Sequence, residues 1–308
     1  MKRLIPTLLL LIVCIGGFWY AKSQDFFREK QDDAVKTLAA SVKAEDVQTV
    51  SLLGADGKVT ELQRNADGKS WTMTKPGALP VEGGLVDGWI SSYSLLTYEA
   101  KVEDNADLAK YGLDKPKQQY KITLKDGTAR SVTVGNPVAV PGYSYVSVDD
   151  GKTVYQVSDQ SLSGIGKAPV DFQVKGPVKL DYDKVTGLTV TWKGASWSLT
   201  KTDKDKAAAE AAWKLGDKEL KGADATTVLS SFLFLETKLE AKPAGNVGTA
   251  APDFTAELTE SGDGGAAVTT KYTGRADGDN VWLVKEGDAW AYAIPVTSVQ
   301  ELADQGKK

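Results

Sequence analysis

Residues 120–135 read YKITLKDGTARSVTVG, and this stretch decides the fold. Tyr120, Ile122 and Leu124 alternate with Lys121, Thr123 and Lys125. A period of two sends one face of a strand into a core and the other into water. Asp126-Gly127 then supplies residue types that accept the positive φ of a tight turn, and Val132 and Val134 resume the alternation. That is a β-hairpin. The pattern returns in SYVSVDDGKTVYQV, turning at Asp150-Gly151, and in LTVTWKGASWSL, turning at Lys193-Gly194. Asp56-Gly57 and Asp67-Gly68 mark two earlier hairpins. From Val47 onward, antiparallel meanders are the expected material.

Helical spacing interrupts the meanders once in each half. Leu85, Trp89 and Tyr93, with Val86, Ile90 and Leu96, form an apolar stripe at i, i+3, i+4. Val228, Leu229, Phe232 and Leu235 form its counterpart, with Asp224 and Thr226 as N-cap candidates. These counterparts belong to a wider repetition. GKSWTMTKP at 68–76 matches GASWSLTKT at 194–202, which sets Trp71 opposite Trp197. KPKQQYKITL from Lys115 matches APDFTAEL from Ala251. YVSVDDGKTVYQV from Tyr145 matches WLVKEGDAWAYAI from Trp282, each followed by a short helical tail. DKDKAAAEAAWKLGDKEL, from Asp203, reads as an insertion in the second copy, and the Gly- and Pro-rich stretch 164–177 as a linker. The expected fold is α+β: two related units of antiparallel meander with packed helices, over 46–165 and 178–304.

The amino terminus differs from all of this. Lys2 and Arg3 precede an apolar run from Leu4 to Ala21 that includes Leu8 and Leu11 and closes on Phe18, Trp19 and Tyr20. Eighteen such residues as a helix span roughly 27 Å, close to the ~30 Å hydrocarbon core of a bilayer. Positive charge before the run and an aromatic belt after it predict a single membrane-spanning anchor over 1–22, with the remainder on the extracytoplasmic side. Cleavage after Ser23 is an alternative, as is lipid attachment at Cys14, where Val13 stands in place of the expected small residue. Residues 25–43 are rich in helix formers, so 23–45 is expected to be a juxtamembrane helix or stalk.

Composition removes whole classes of chemistry. The chain of 308 residues has no His and one Cys. Imidazole-dependent nucleophile systems, His-ligated zinc and intramolecular disulfides are therefore excluded. A net charge of −4 gives no electrostatic reason to expect nucleic acid. Ser198-Leu199-Thr200-Lys201 fits an S-x-x-K pattern, but strand alternation sets Ser198 and Lys201 on opposite faces. The carboxylate pairs Asp32-Asp33, Asp149-Asp150, Asp203/Asp205 and Asp277/Asp279 sit in turn-like sequence, where Asp accepts local backbone N–H groups. No Walker-type glycine loop occurs. No catalytic residue, metal or cofactor is expected. Trp71, Trp89, Trp197 and Trp282 fall on core-facing positions; Trp213 and Trp290 are less constrained and are the candidates for a partner or ligand face.

The segment from Tyr111 to Leu162 resembles the bacterial family called domain of unknown function 4340. The likeness rests on the Tyr-Gly-Leu-Asp-x-Pro turn at 111–116, the hairpin after it, the Val-Gly step at 134–135, the Gly-Tyr step at 142–143 and Val-Tyr-x-Val at 154–157. The second copy lacks the Tyr-Gly-Leu turn. The resemblance implies an anchored extracytoplasmic protein without assigned catalytic residues, accessory to an ABC-type or gliding-motility-like transport system. The expectation is a non-enzymatic scaffold in the inner membrane with a periplasmic domain and a protein partner. A binding module for cell-wall glycan or peptide is the alternative.

Overall fold

A computed structural model describes residues 36–38, 42–102, 107–248 and 250–307. The anchor expected over 1–22 and most of the stalk lie outside them. Among the described residues no helix is long and apolar enough to cross a membrane.

The first unit runs β1 (Val47–Leu53), β2 (Val59–Arg64), β3 (Trp71–Lys75), α1 (Gly83–Ser94), β4 (Ala100–Val102), β5 (Gln118–Leu124), β6 (Ala129–Pro137), β7 (Tyr143–Val148), β8 (Val154–Ser158) and α2 (Asp159–Ile165). The second runs β9 (Val185–Trp192), β10 (Ala195–Lys201), β11 (Ala212–Leu215), β12 (Lys218–Lys221), α3 (Gly222–Leu233), β13 (Lys242–Pro243), β14 (Phe254–Ser261), β15 (Ala267–Asp277), β16 (Asn280–Lys285), β17 (Trp290–Pro295) and α4 (Val296–Ala303). Spatial order in the first sheet is β3-β2-β1-β5-β6-β7-β8-β4, and in the second β12-β11-β10-β9-β14-β15-β16-β17-β13. With β12 set aside, the two orders are the same.

All five dipeptide turns close hairpins, each by supplying left-handed backbone. Lys193 (φ 48°) and Gly194 (φ 86°) join Trp192 directly to Ala195. At the β7–β8 turn the left-handed residues are Asp149 and Asp150, one place earlier than the Asp150-Gly151 reading. Asp tolerates this region, and the Asp149 carboxylate accepts the Ser131 N–H at 2.9 Å, which holds the turn against β6.

Each sheet buries one face under its helices. α1 lays Val86, Trp89, Ile90 and Tyr93 on the first sheet, while Leu85, expected on the same stripe, turns outward at 39% exposure. The indole N–H of Trp89 donates to the Ile165 carbonyl at 2.7 Å, tying α1 to the end of α2. α3 buries Ala225, Val228, Leu229 and Phe232 on the second sheet. It starts at Gly222, ahead of the cap candidates Asp224 and Thr226. A Cβ on Gly222 would stand 2.2 Å from the Ala209 carbonyl oxygen, so the helix begins where the 203–211 segment packs against it. α4 is fixed by the Trp192 indole N–H, which donates to Gln300 at 2.8 Å.

Strand order corrects one equivalence and the extent of the insertion. Trp71 lies on β3 and pairs with Arg64 of β2. The residue in that place in the second sheet is Trp213 of β11, paired with Lys201 of β10. Trp197 is one strand further in, on β10 beside β9. Local likeness of GKSW to GASW misled because both follow a glycine turn. The segment from Asp203 is thus only partly an insertion, since it carries β11.

The presumed linker is packed. Phe172 is buried in the first core and pairs through its carbonyl with the Glu82 N–H. Gln173 is 0% exposed, bridges Val81 through its backbone, donates its amide to the Leu239 carbonyl and accepts the Ala241 N–H at 2.9 Å. Leu79 touches both cores. At the other end of the first unit, Thr37 bridges Thr97 and Leu38 donates to the Leu96 carbonyl. In the described part of the expected stalk, Thr37 and Leu38 therefore lie along 96–97, held there because Leu38 is buried in the first core, and a 3-10 turn begins at Ala44.

Candidate functional site

Trp213, expected on a ligand face, is instead 0% exposed. It faces the helices from β11, and its indole N–H donates to the Ala208 carbonyl at 2.9 Å. The 203–211 segment folds back over it, a cover invisible to strand periodicity. Trp290 is half-buried against the second core from the end of β17. The structure does not bring these two together on an open face. Trp71 and Trp89 are core, as expected, whereas Trp197 and Trp282 are only half-buried.

Next to Trp71 and Trp213 lie two buried cations that the sequence reading passed over. Arg64 places its guanidinium carbon 4.2 Å from the centre of the Trp71 ring. It donates to the carbonyls of Val47 at 2.8 Å, Ala44 at 2.7 Å and Gly68 at 3.1 Å, and pairs with Asp87 at 3.1 Å. Lys201 stands 5.9 Å from the Trp213 ring centre and donates to the Asp183 carbonyl at 3.0 Å. Both cations tie the end of the second strand to the chain entering the first. Their acceptors are backbone carbonyls and, for Arg64, also the Asp87 carboxylate, so each is a structural clasp. The signal was parity: Thr60, Leu62 and Arg64, like Leu199 and Lys201, share a face. Ser198 points to the other face from Lys201, so the S-x-x-K pair does not assemble.

The start of the segment carrying the resemblance, with the residues just before it, folds into a plug on the outer face of the first sheet. Asp107 caps a short 3-10 turn by accepting the Ala109 N–H, and Gly112 ends it at φ 71°. Tyr111 meets Tyr145 edge-on at 4.8 Å, and Leu113 and Val154 bury beside it. A Cβ on Gly135 would stand 2.1 Å from the Tyr111 carbonyl oxygen, which explains the Val-Gly step. On the second sheet Trp282 takes the place of Tyr145, and Lys242 covers it with its ammonium 3.5 Å from the ring centre. Cation–π cover replaces the plug that the second unit lacks.

Carboxylates behave as turn residues. Asp203 pairs with Lys206 at 2.9 Å, which lowers the acid's pKa. Asp277 and Asn280 close the β15–β16 hairpin. Asp32-Asp33 lies outside the described residues. Among the described residues no group of three or more His, Cys, Asp or Glu is gathered as metal ligands would be.

Among the described residues several clefts are wide enough for a small ligand, and two of them bear on the clasps and the first sheet. One, about 660 Å³, lies between the 203–211 segment and the β11–β12 hairpin, where Asp203 and Lys206 already pair. The other, about 570 Å³, opens where the end of the first sheet meets the 166–169 turn.

Comparison with known proteins gives one match. Residues 71–252 fit the family model described as Domain of unknown function (DUF4340). No curated protein and no solved structure matches the chain.

Proposed function

The chain belongs to the DUF4340 family, and on that footing we propose that it is a non-enzymatic, membrane-anchored accessory or scaffold protein of the cell envelope. The carrying observation is the combination of the apolar run 4–21 with two sheets clasped at Gln173. A single anchor followed by a stiff two-unit body suits a part that holds a neighbour in place. In this reading the chain crosses the inner membrane once, its folded units lie in the periplasm, and a transport complex of the ABC type is the partner. Affinity purification of the tagged full chain in mild detergent tests it. Recovery of a membrane partner at fixed stoichiometry is the expected result, and recovery of none overturns the proposal. Protease added to spheroplasts is expected to digest the two units; full protection would overturn the placement.

A further inference from the structure

Thr60, Leu52 and Tyr120 stand in register on β2, β1 and β5, on the face of the first sheet turned toward its helices. Among the described residues no α-helix lines this end of the sheet. The turn after α2 covers it, leaving the cleft of about 570 Å³. Tyr120 is 2% exposed and lines the cleft, yet no hydrogen bond reaches its hydroxyl among the described residues. That hydroxyl lies against Gly166: a Cβ there would be 3.0 Å from it. Burial alone raises its pKa, so the group is a neutral donor and acceptor. Thr60, 3% exposed, lines the same cleft with its hydroxyl equally unengaged. Neither oxygen is among the fully buried unpartnered atoms of the described residues, which are the Tyr93 hydroxyl and the Trp197 indole nitrogen, so both hydroxyls open on the cleft, where a ligand and not the protein can bond them.

The remaining lining narrows the chemistry. Pro76, Pro169, Ala55 and Ala168 form apolar walls. At the rim, Asp56 and Lys58 pair with each other at 3.6 Å, whereas Lys167 and Glu240 carry opposite charges and make no ion pair among the described residues. An anion would meet Glu240 and a cation Lys167. A glycan would lack a stacking surface, because the Tyr120 ring is covered. We propose that this cleft binds a short zwitterionic peptide. Its polar backbone would bond the Tyr120 and Thr60 hydroxyls and its charged ends would face Lys167 and Glu240. This goes beyond the scaffold role and does not depend on it.

Titration calorimetry on the full chain in detergent, with trialanine as probe, tests the site. Saturable one-to-one binding is expected, weakened about tenfold in Tyr120→Phe with an unchanged melting temperature, the size of one lost hydrogen bond. N-acetyl-trialanine amide, which has no charged ends, is expected to bind at least tenfold more weakly. Gly166→Ala, which crowds the hydroxyl from the surface, should weaken binding without disturbing the core. Three results would each overturn the site: no saturable heat from trialanine, equal affinity in Tyr120→Phe, or binding of chitotetraose in trialanine's place. Failure of partner recovery with trialanine binding intact would remove the scaffold role and leave this site standing.

Discussion

Arg64 lies over the ring of Trp71 on the neighbouring strand, and the second sheet repeats the arrangement with Lys201 and Trp213. The two cations differ in how much they hold. Arg64 serves three carbonyls and a carboxylate, Lys201 a single carbonyl. Arg64→Met is therefore expected to cost about 3 kcal/mol, since it strands several buried acceptors, and Lys201→Met about 1 kcal/mol. Urea unfolding checks both, with the midpoint falling and the slope unchanged.

Gly135 has no room for a side chain, because the Tyr111 carbonyl occupies the place of its Cβ. Gly135→Ala should push the 107–116 plug off the first sheet and destabilise the fold by about 3 kcal/mol. Trypsin readout is direct: Lys110 lies in the plug and Lys117 just after it, and faster cleavage there is expected. Unchanged cleavage would mean that the plug is held by something other than this contact.

Gln173 spans the two units with one side chain. Gln173→Leu removes both of its hydrogen bonds, leaving the Ala241 N–H without a partner and the Leu239 carbonyl with the Thr237 hydroxyl alone. A cost of about 2 kcal/mol is expected. Scanning calorimetry should show one transition in the native chain and two in the variant, since the cores would then melt separately. A single unsplit transition in the variant would show that Leu79 and the neighbouring backbone bonds suffice.

Asp67 reports on acid stability. Its carboxylate accepts the Ser70 hydroxyl and the backbone N–H groups of Lys69 and Ser70, which brings its pKa from 3.8 down to about 2. A folded-state pKa below the unfolded one stabilises the protein above pH 3.8, and that contribution is lost as pH falls toward 2. The stability gap between the native chain and Asp67→Asn is expected to close across that window. A constant gap from pH 5 to pH 2 would refute it.

What the sequence displayed was local. Period-two alternation and Asp-Gly or Lys-Gly turns gave every hairpin they marked, because turn geometry depends on two or three adjacent residues. The helix stripes at Trp89 and Phe232 were equally plain. What it hid was set by distant packing. Trp213 looked free because its cover, the 203–211 segment, has no periodicity. Trp197 was matched to Trp71 by its neighbours, whereas its true place depends on which strand lies next to β9. The cleft at Tyr120 was illegible for a related reason. Tyr120 reads as an ordinary core position, and nothing in its chain neighbours shows that it lines a cleft.

The sheet edges carry a consequence for crowding. β4 has three residues, β13 two and β12 four, while β3 ends on Lys75 immediately before Pro76. An edge of two to four residues offers too few free N–H and C=O groups to template another chain, and a proline closes the remaining one. The seventeen strands among the described residues thus end in short edge strands that offer little for a second copy to add to. Many molecules concentrated at one surface would stay individually folded instead of fusing into a common sheet.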